Sequence, residues 1–137
     1  MEQLIIPASI DRLNEVLEFV DSILDENKCD EITKMQIDIA VEELFVNIAS
    51  YAYHPEEGPA EIKCTVDKET SRVTIEFRDQ GVPYDPLAKK DPDITLSAQE
   101  RDIGGLGIYM VKNSMDNVNY RHENGMNILT IEKSISV

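Results

Sequence analysis

The sequence predicts an α+β fold, a two-layer α/β sandwich with helices packed on one face of a mixed, largely antiparallel sheet. Three observations carry this expectation. Apolar residues recur at helical spacing from Ile10 to about Tyr53. The period then changes to two, as Ile62, Cys64 and Val66, and again Val73, Ile75 and Phe77, alternate with polar residues. Finally, Asn124-Gly125 separates two extended segments with the residue types that a type I′ hairpin turn demands.

The elements follow in order. Leu4-Ile5-Ile6, ended by Pro7, reads as an opening strand at a sheet edge, because proline cannot donate to a ladder. Ser9 is placed to cap a helix whose apolar positions Leu13, Val16, Leu17, Val20, Ile23 and Leu24 continue to about Glu26. Asn27-Lys28-Cys29-Asp30 breaks the pattern, and Asp30 caps a second helix that runs to about Tyr53. His54-Pro55-Glu56-Glu57-Gly58-Pro59 ends it. The two alternating segments form a β-hairpin with one buried face. Asp79 stands at the carboxyl end of its second strand, with Gly81 in the turn beyond. From Leu87 to Arg101 the chain is polar with little periodicity, a length typical of functional lids or disordered connections. Gly104-Gly105-Leu106-Gly107 leads into a short helix through Ile108, Met110, Val111 and Met115, and Val118 to Glu123 and Met126 to Ile135 are the last strands.

The 137 residues suit one domain, 1–137, and 42% hydrophobic residues can bury a core without staples. With 13 basic and 27 acidic side chains the formal charge is −14, which opposes binding to nucleic-acid phosphates and anionic membranes. A nucleotide held by such a chain must be held locally, by backbone N–H groups, a metal ion or a single arginine. No apolar run approaches the ~20 residues that span a bilayer. No signal-like segment follows Met1, and Cys29 and Cys64 are isolated, so the sequence points to a reducing cytoplasm with two structural thiols. His54 and His122 are too few and too far apart for a zinc site and read as surface residues.

On the second helix Ile37, Ala40, Val41, Leu44, Ile48 and Tyr51 form the expected core stripe. Glu43 and Asn47, four apart, share a flank of it, with Ile39 and Val46 beyond them, while Glu42 and Asp38 project toward solvent. Alone, the pair also fits a half-exposed helix edge. The glycine turn likewise fits a sharp helix entry, though free N–H groups and the positive dipole end there offer an anion site.

Together, Glu43-x-x-x-Asn47 on a helix, Asp79-x-Gly81 after a strand and Gly104-Gly105-Leu106-Gly107 after a long connection resemble the Bergerat-fold ATPase superfamily of histidine kinases, gyrase and Hsp90. Within it, the short chain, Asp79-Gln80-Gly81-Val82-Pro83-Tyr84-Asp85-Pro86, and Glu100-Arg101 before the glycine turn are similar to the anti-sigma-factor serine kinases of bacterial sporulation and stress responses. The resemblance covers nearly the whole chain. It implies ATP and Mg²⁺ as cofactors, with Asn47 ligating the metal, Asp79 accepting the adenine amino group and Gly81 admitting the base. It further implies that the backbone of Gly104, Gly105, Leu106 and Gly107 cradles the phosphates beneath a lid spanning roughly residues 84–103. Arg101 would face the γ-phosphate, and Glu43 would be the general base toward a serine hydroxyl. The implied partners are a sigma factor, an anti-anti-sigma protein carrying the substrate serine, and a second copy in a homodimer.

The alternative is a non-catalytic ATP-binding anti-sigma module, which has less need of Glu43. A detached histidine-kinase domain lacks support, for the chain has no helical hairpin with a phosphoacceptor histidine. Two departures stand out: Tyr51-Ala52-Tyr53 replaces a common His-Ala-Tyr, and Pro83 replaces a frequent glycine, which stiffens the turn.

Overall fold

The structure, a computed structural model, describes residues 2–53, 56–88 and 106–135. In chain order these form β1 (Glu2–Pro7), α1 (Leu13–Glu26), α2 (Glu31–Tyr51), β2 (Pro59–Asp67), β3 (Arg72–Asp79), α3 (Leu106–Ser114), β4 (Asn117–Glu123) and β5 (Met126–Ser134), with single 3-10 turns at Ile10–Arg12 and Pro86–Ala88. His54, Pro55 and residues 89–103 of the expected lid lie outside the described residues.

The sheet order is β1-β2-β3-β5-β4, and every pairing is antiparallel. The predicted mixed sheet is therefore antiparallel throughout the described residues, for a topological reason. β3 and β4 run parallel, but the hairpin at Asn124-Gly125 folds β5 back between them. Asn124 and Gly125 have φ of 54° and 76°, both positive as a type I′ turn requires. β1 sits at the edge, where Pro7 is tolerated.

Local capping explains where the helices begin. Asp30 accepts a hydrogen bond from Thr33 N at 3.1 Å, satisfying one orphan donor of α2. Ser9 makes no side-chain cap bond; its carbonyl instead accepts from Arg12 N at 2.9 Å within the 3-10 turn. α2 ends at Tyr51, two residues before the expected Tyr53, which breaks away to a partner described below.

Alternation builds the core. Ile62, Cys64, Val73, Ile75, Phe77, Leu129 and Ile131 point inward from the sheet and pack against Val16, Val20 and Leu24 of α1 and Ile37, Val41, Leu44 and Phe45 of α2, all buried. The α2 stripe thus includes Phe45 and stops short of Tyr51, which is 54% exposed. Outward positions of the sheet carry ion pairs instead: Lys63 with Glu61, Arg78 with Glu76, and Arg121 with Glu76 and Glu123. Pairs of this kind add little stability, but they let the second face meet water without another layer. Both cysteines are free and buried, and burial pushes the Cys64 thiol up to about 12, as suits a structural thiol.

Asp38 departs from expectation. It is half-buried at the α1–α2 contact, not in solvent, and stands next to Asp21. Asp21 Oδ1 and Asp38 Oδ1 are each buried without a hydrogen-bond partner among the described residues. Burial first, and then Asp21, hold the Asp38 carboxyl up at about 7. Lys34, whose charge works the other way, is paired with Asp25 at 3.0 Å.

Candidate functional site

A pocket opens between the C-terminal half of α2 and the sheet. Asn47, Tyr51 and Ala52 line one side, Asp79 and Asn127 the floor, and Val82 and Tyr84 the turn above. About 430 Å³ of empty space lies between these residues, open solvent included. Its walls are mostly apolar, so its few polar atoms decide orientation.

Asp79 is the last residue of β3 and only 5% exposed. Its Oδ1 accepts from Gly81 N and from Asn127 Nδ2, both at 2.9 Å. Neither bond uses Oδ2, which leaves an acceptor atom for a ligand amino group. Asn127, 6% exposed, is the functional residue that sequence reasoning missed. Its Nδ2 also donates to Val82 O at 2.9 Å, while its Oδ1 accepts from Tyr120 Oη and from Tyr84 N at 3.3 Å. One amide therefore ties the acidic floor to the start of the loop above the pocket. The signal was present: Asn127, Leu129 and Ile131 share the inward phase of β5, where an asparagine needs partners.

Gly81 is where the turn meets the end of α2. A Cβ built there would lie 2.1 Å from Ala52 O and 2.6 Å from Ala52 Cβ, so the missing side chain admits the end of α2. Val82 N donates to the same Ala52 carbonyl at 2.9 Å. Tyr53 completes the clamp, its hydroxyl donating to Pro59 O at 2.6 Å and accepting from Gln80 N at 2.8 Å. The Tyr51 and Tyr84 rings stand 5.7 Å apart at 32° beside the pocket. Tyr51, which replaces the histidine of the common His-Ala-Tyr, therefore contributes an aromatic wall.

Asn47 and Glu43 lie one α2 turn apart, both half-buried, while Glu42 is exposed as its helical phase predicts. Asn47 makes no side-chain hydrogen bond among the described residues and lines the pocket. Glu43 reaches the first turn of α3: a Cβ on Gly107 would fall 2.1 Å from its Cδ. Burial, followed by the neighbouring Glu42 charge, raises the Glu43 carboxyl above the ordinary glutamate range. Asn47 and Asp79 thus line one pocket, while Glu43 lies one α2 turn before Asn47, against Gly107 of α3, and Gly81 lies against Ala52 at the end of α2. Leu106 opens α3, with only its backbone described, and Arg101, Gly104 and Gly105 lie outside the described residues.

The donor set suits Mg²⁺ only alongside a polyanion. No group of three His, Cys, Asp or Glu side chains among the described residues could cage a metal. Asn47 offers one uncommitted oxygen, and Mg²⁺ commonly takes one or two protein ligands with substrate phosphates and water completing its shell.

Comparison with known proteins bears on family and fold. Residues 6–133 match the model of the histidine kinase-like ATPase domain. Over 98 residues, 72% of this chain and 68% of the relative, the sequence is 28% identical to the serine/threonine-protein kinase BtrW of Bordetella bronchiseptica. It is 31% identical over 104 residues, 73% of this chain, to the serine-protein kinase RsbW of Bacillus cereus, of which it spans 62%. Among solved structures, the RsbU and RsbW domains of Rv1364c from Mycobacterium tuberculosis align over 100% of this chain and 33% of theirs, with a TM-score of 0.69 at 16% identity. In the SiaB–SiaC complex of Pseudomonas aeruginosa the matching chain aligns over 97% of this one and 89% of its own, with a TM-score of 0.62 at 13% identity.

Proposed function

Since the chain belongs to the histidine kinase-like ATPase domain family, we propose that it is a protein-serine kinase of anti-sigma type: it binds Mg-ATP, phosphorylates a serine on an anti-anti-sigma protein, and sequesters a sigma factor while that partner is phosphorylated. Relatives named as serine-protein kinases support this reading. The observation that carries it is the cleft in which Asp79 offers a buried acceptor and Asn47 an uncommitted oxygen, with Glu43, a half-buried carboxylate, one helical turn before Asn47 on α2. No described helix is long and apolar enough to cross a membrane, and the reading places the protein in the cytoplasm, acting as a homodimer.

In this mechanism Asp79 Oδ2 accepts from the adenine amino group, and Tyr51 and Tyr84 flank the base. Asn47 supplies the protein oxygen for Mg²⁺, which neutralises charge on the phosphates when bound. The N–H groups at the start of α3, with Gly104, Gly105, Leu106 and Gly107, hold the phosphates, and Arg101 in the lid faces the γ-phosphate. Glu43 takes the serine hydroxyl proton as that oxygen bonds to the γ-phosphorus and the bond to the β–γ bridging oxygen breaks. The products are phosphoserine, ADP and a protonated Glu43 that passes its proton to water. A carboxyl held above its usual range is the better base near neutrality.

The test is incubation of the purified chain and its Glu43→Gln variant with labelled Mg-ATP and a candidate anti-anti-sigma protein. Serine phosphate is expected with the wild type and not with the variant. ATP binding without transfer to any such partner would instead indicate a non-catalytic binding module.

A further inference from the structure

Glu43 and Gly107 come from different helices, yet the glycine is shaped around the carboxylate. A Cβ built on Gly107 would lie 2.1 Å from Glu43 Cδ, 2.1 Å from Oε1 and 2.5 Å from Oε2. Outside α3 itself and among the described residues, these are the three nearest atoms, and all belong to one carboxyl group. Gly81 is the instructive contrast, since a Cβ there meets the Ala52 carbonyl, which is fixed by its bond from Val82 N. Backbone cannot yield, whereas a glutamate side chain can turn aside with a change of rotamer. A side chain at 107 is therefore tolerated by the fold and not by the position of Glu43.

We infer that Gly107 is a positioning residue for Glu43: its bare Cα seats the carboxylate against the first turn of α3, and any larger residue swings the base away from that seat. This role is separate from presenting backbone N–H groups to phosphate, which alanine would also do. It explains why glycine stands at 107, inside a helix, where it costs up to about 1 kcal/mol relative to alanine. The seat also accounts for the burial of Glu43, for the carboxylate and the α3 backbone cover each other.

The inference rests on the kinase reading only for its effect on rate, so its test has an arm that needs no activity. Gly107→Ala, Glu43→Asp and the double variant are compared with the wild type by three measurements: the carboxyl titration of Glu43 followed by ¹³C NMR in ligand-free protein, ADP affinity with Mg²⁺ by calorimetry, and serine phosphorylation. In Gly107→Ala the Glu43 titration is expected to move down toward that of a solvated glutamate while the melting temperature stays within a few degrees. Transfer is expected to fall at least tenfold more than ADP affinity does. Glu43→Asp is one methylene shorter and clears the new methyl, so the double variant is expected to be no slower than Glu43→Asp alone. An unmoved Glu43 titration in Gly107→Ala overturns the inference, as do losses that multiply in the double variant. So does an ADP affinity that falls as far as transfer, which would make Gly107 a phosphate-loop glycine only. If the wild type transfers no phosphate, the kinase reading fails, and the titration still decides the seat.

Discussion

Asn127 and Asp79 face each other across the β3–β5 ladder, 48 positions apart in the chain, and the amide donates to the carboxylate at 2.9 Å. Asn127→Leu keeps the approximate shape but removes the amide that Val82 O and Asp79 Oδ1 bond. A buried group left unpaired costs about 1–3 kcal/mol. Urea denaturation is expected to show a loss in that range, with weaker ADP binding because Asp79 and the loop are no longer registered.

Asp79→Asn replaces one acceptor oxygen of the floor with an amide and tests the adenine assignment directly. A hydrogen bond to a charged group contributes about 1.5–3 kcal/mol, so ADP affinity measured by calorimetry is expected to fall roughly 10- to 150-fold. Equal affinity in the two proteins would exclude Asp79 as the adenine acceptor.

Gly81→Ala forces a methyl into the end of α2, 2.1 Å from Ala52 O. The clash is with backbone, so the turn or the helix end must shift, and overpacking of this sort costs about 1–3 kcal/mol. Thermal unfolding is expected to show Gly81→Ala clearly less stable than the wild type, in contrast to Gly107→Ala.

Asp38 gives the stability a pH dependence of known sign. Its carboxyl titrates at about 7 in the folded chain against an ordinary 3.8. Between those values the native state keeps a proton that the unfolded chain has released, so stability falls as pH rises from about 4 to about 7 and then levels off. Asp38→Asn removes this loss. Urea denaturation at pH 8 is expected to find the variant more stable by on the order of 1 kcal/mol, after allowing for the solvent that reaches the half-buried pair. At pH 5 the advantage is expected to shrink, and an equal advantage at both pH values would refute the assignment.

Glu43 and Glu42 are adjacent carboxylates with opposite exposures, and the rate profile separates them. Glu43 titrates above the ordinary 4.5, through burial first and the Glu42 charge second. The acidic limb of the transfer rate therefore lies above that value. Glu42→Gln is expected to move the limb toward lower pH while leaving the plateau rate within about twofold, whereas Glu43→Gln loses ~10²–10⁴.

What the sequence disclosed is what local chemistry determines. Asp30 caps α2 because its side chain reaches only three residues ahead, and Asn124-Gly125 turns because both residues accept positive φ. The phase of α2 placed Glu43 and Asn47 on one flank and Glu42 in solvent. Hidden were the features with a partner on another element: Asn127 needs Asp79, Gly81 makes way for Ala52, and Asp38 meets Asp21 on α1. Each residue type is unremarked locally, and its meaning comes from contacts that the topology supplies.

Glu43, Asn47 and Tyr51 follow one another at four-residue intervals on a single uninterrupted helix. At ~1.5 Å per residue, the proposed base, the proposed metal oxygen and the aromatic wall are graduations about 6 Å apart on a rigid ruler. Substitutions can re-tune any mark on it independently. Inserting or deleting one residue cannot, because everything beyond would rotate by about 100° and leave the cleft. The segment from 43 to 51 is thus fixed in length even where its side chains are free to vary.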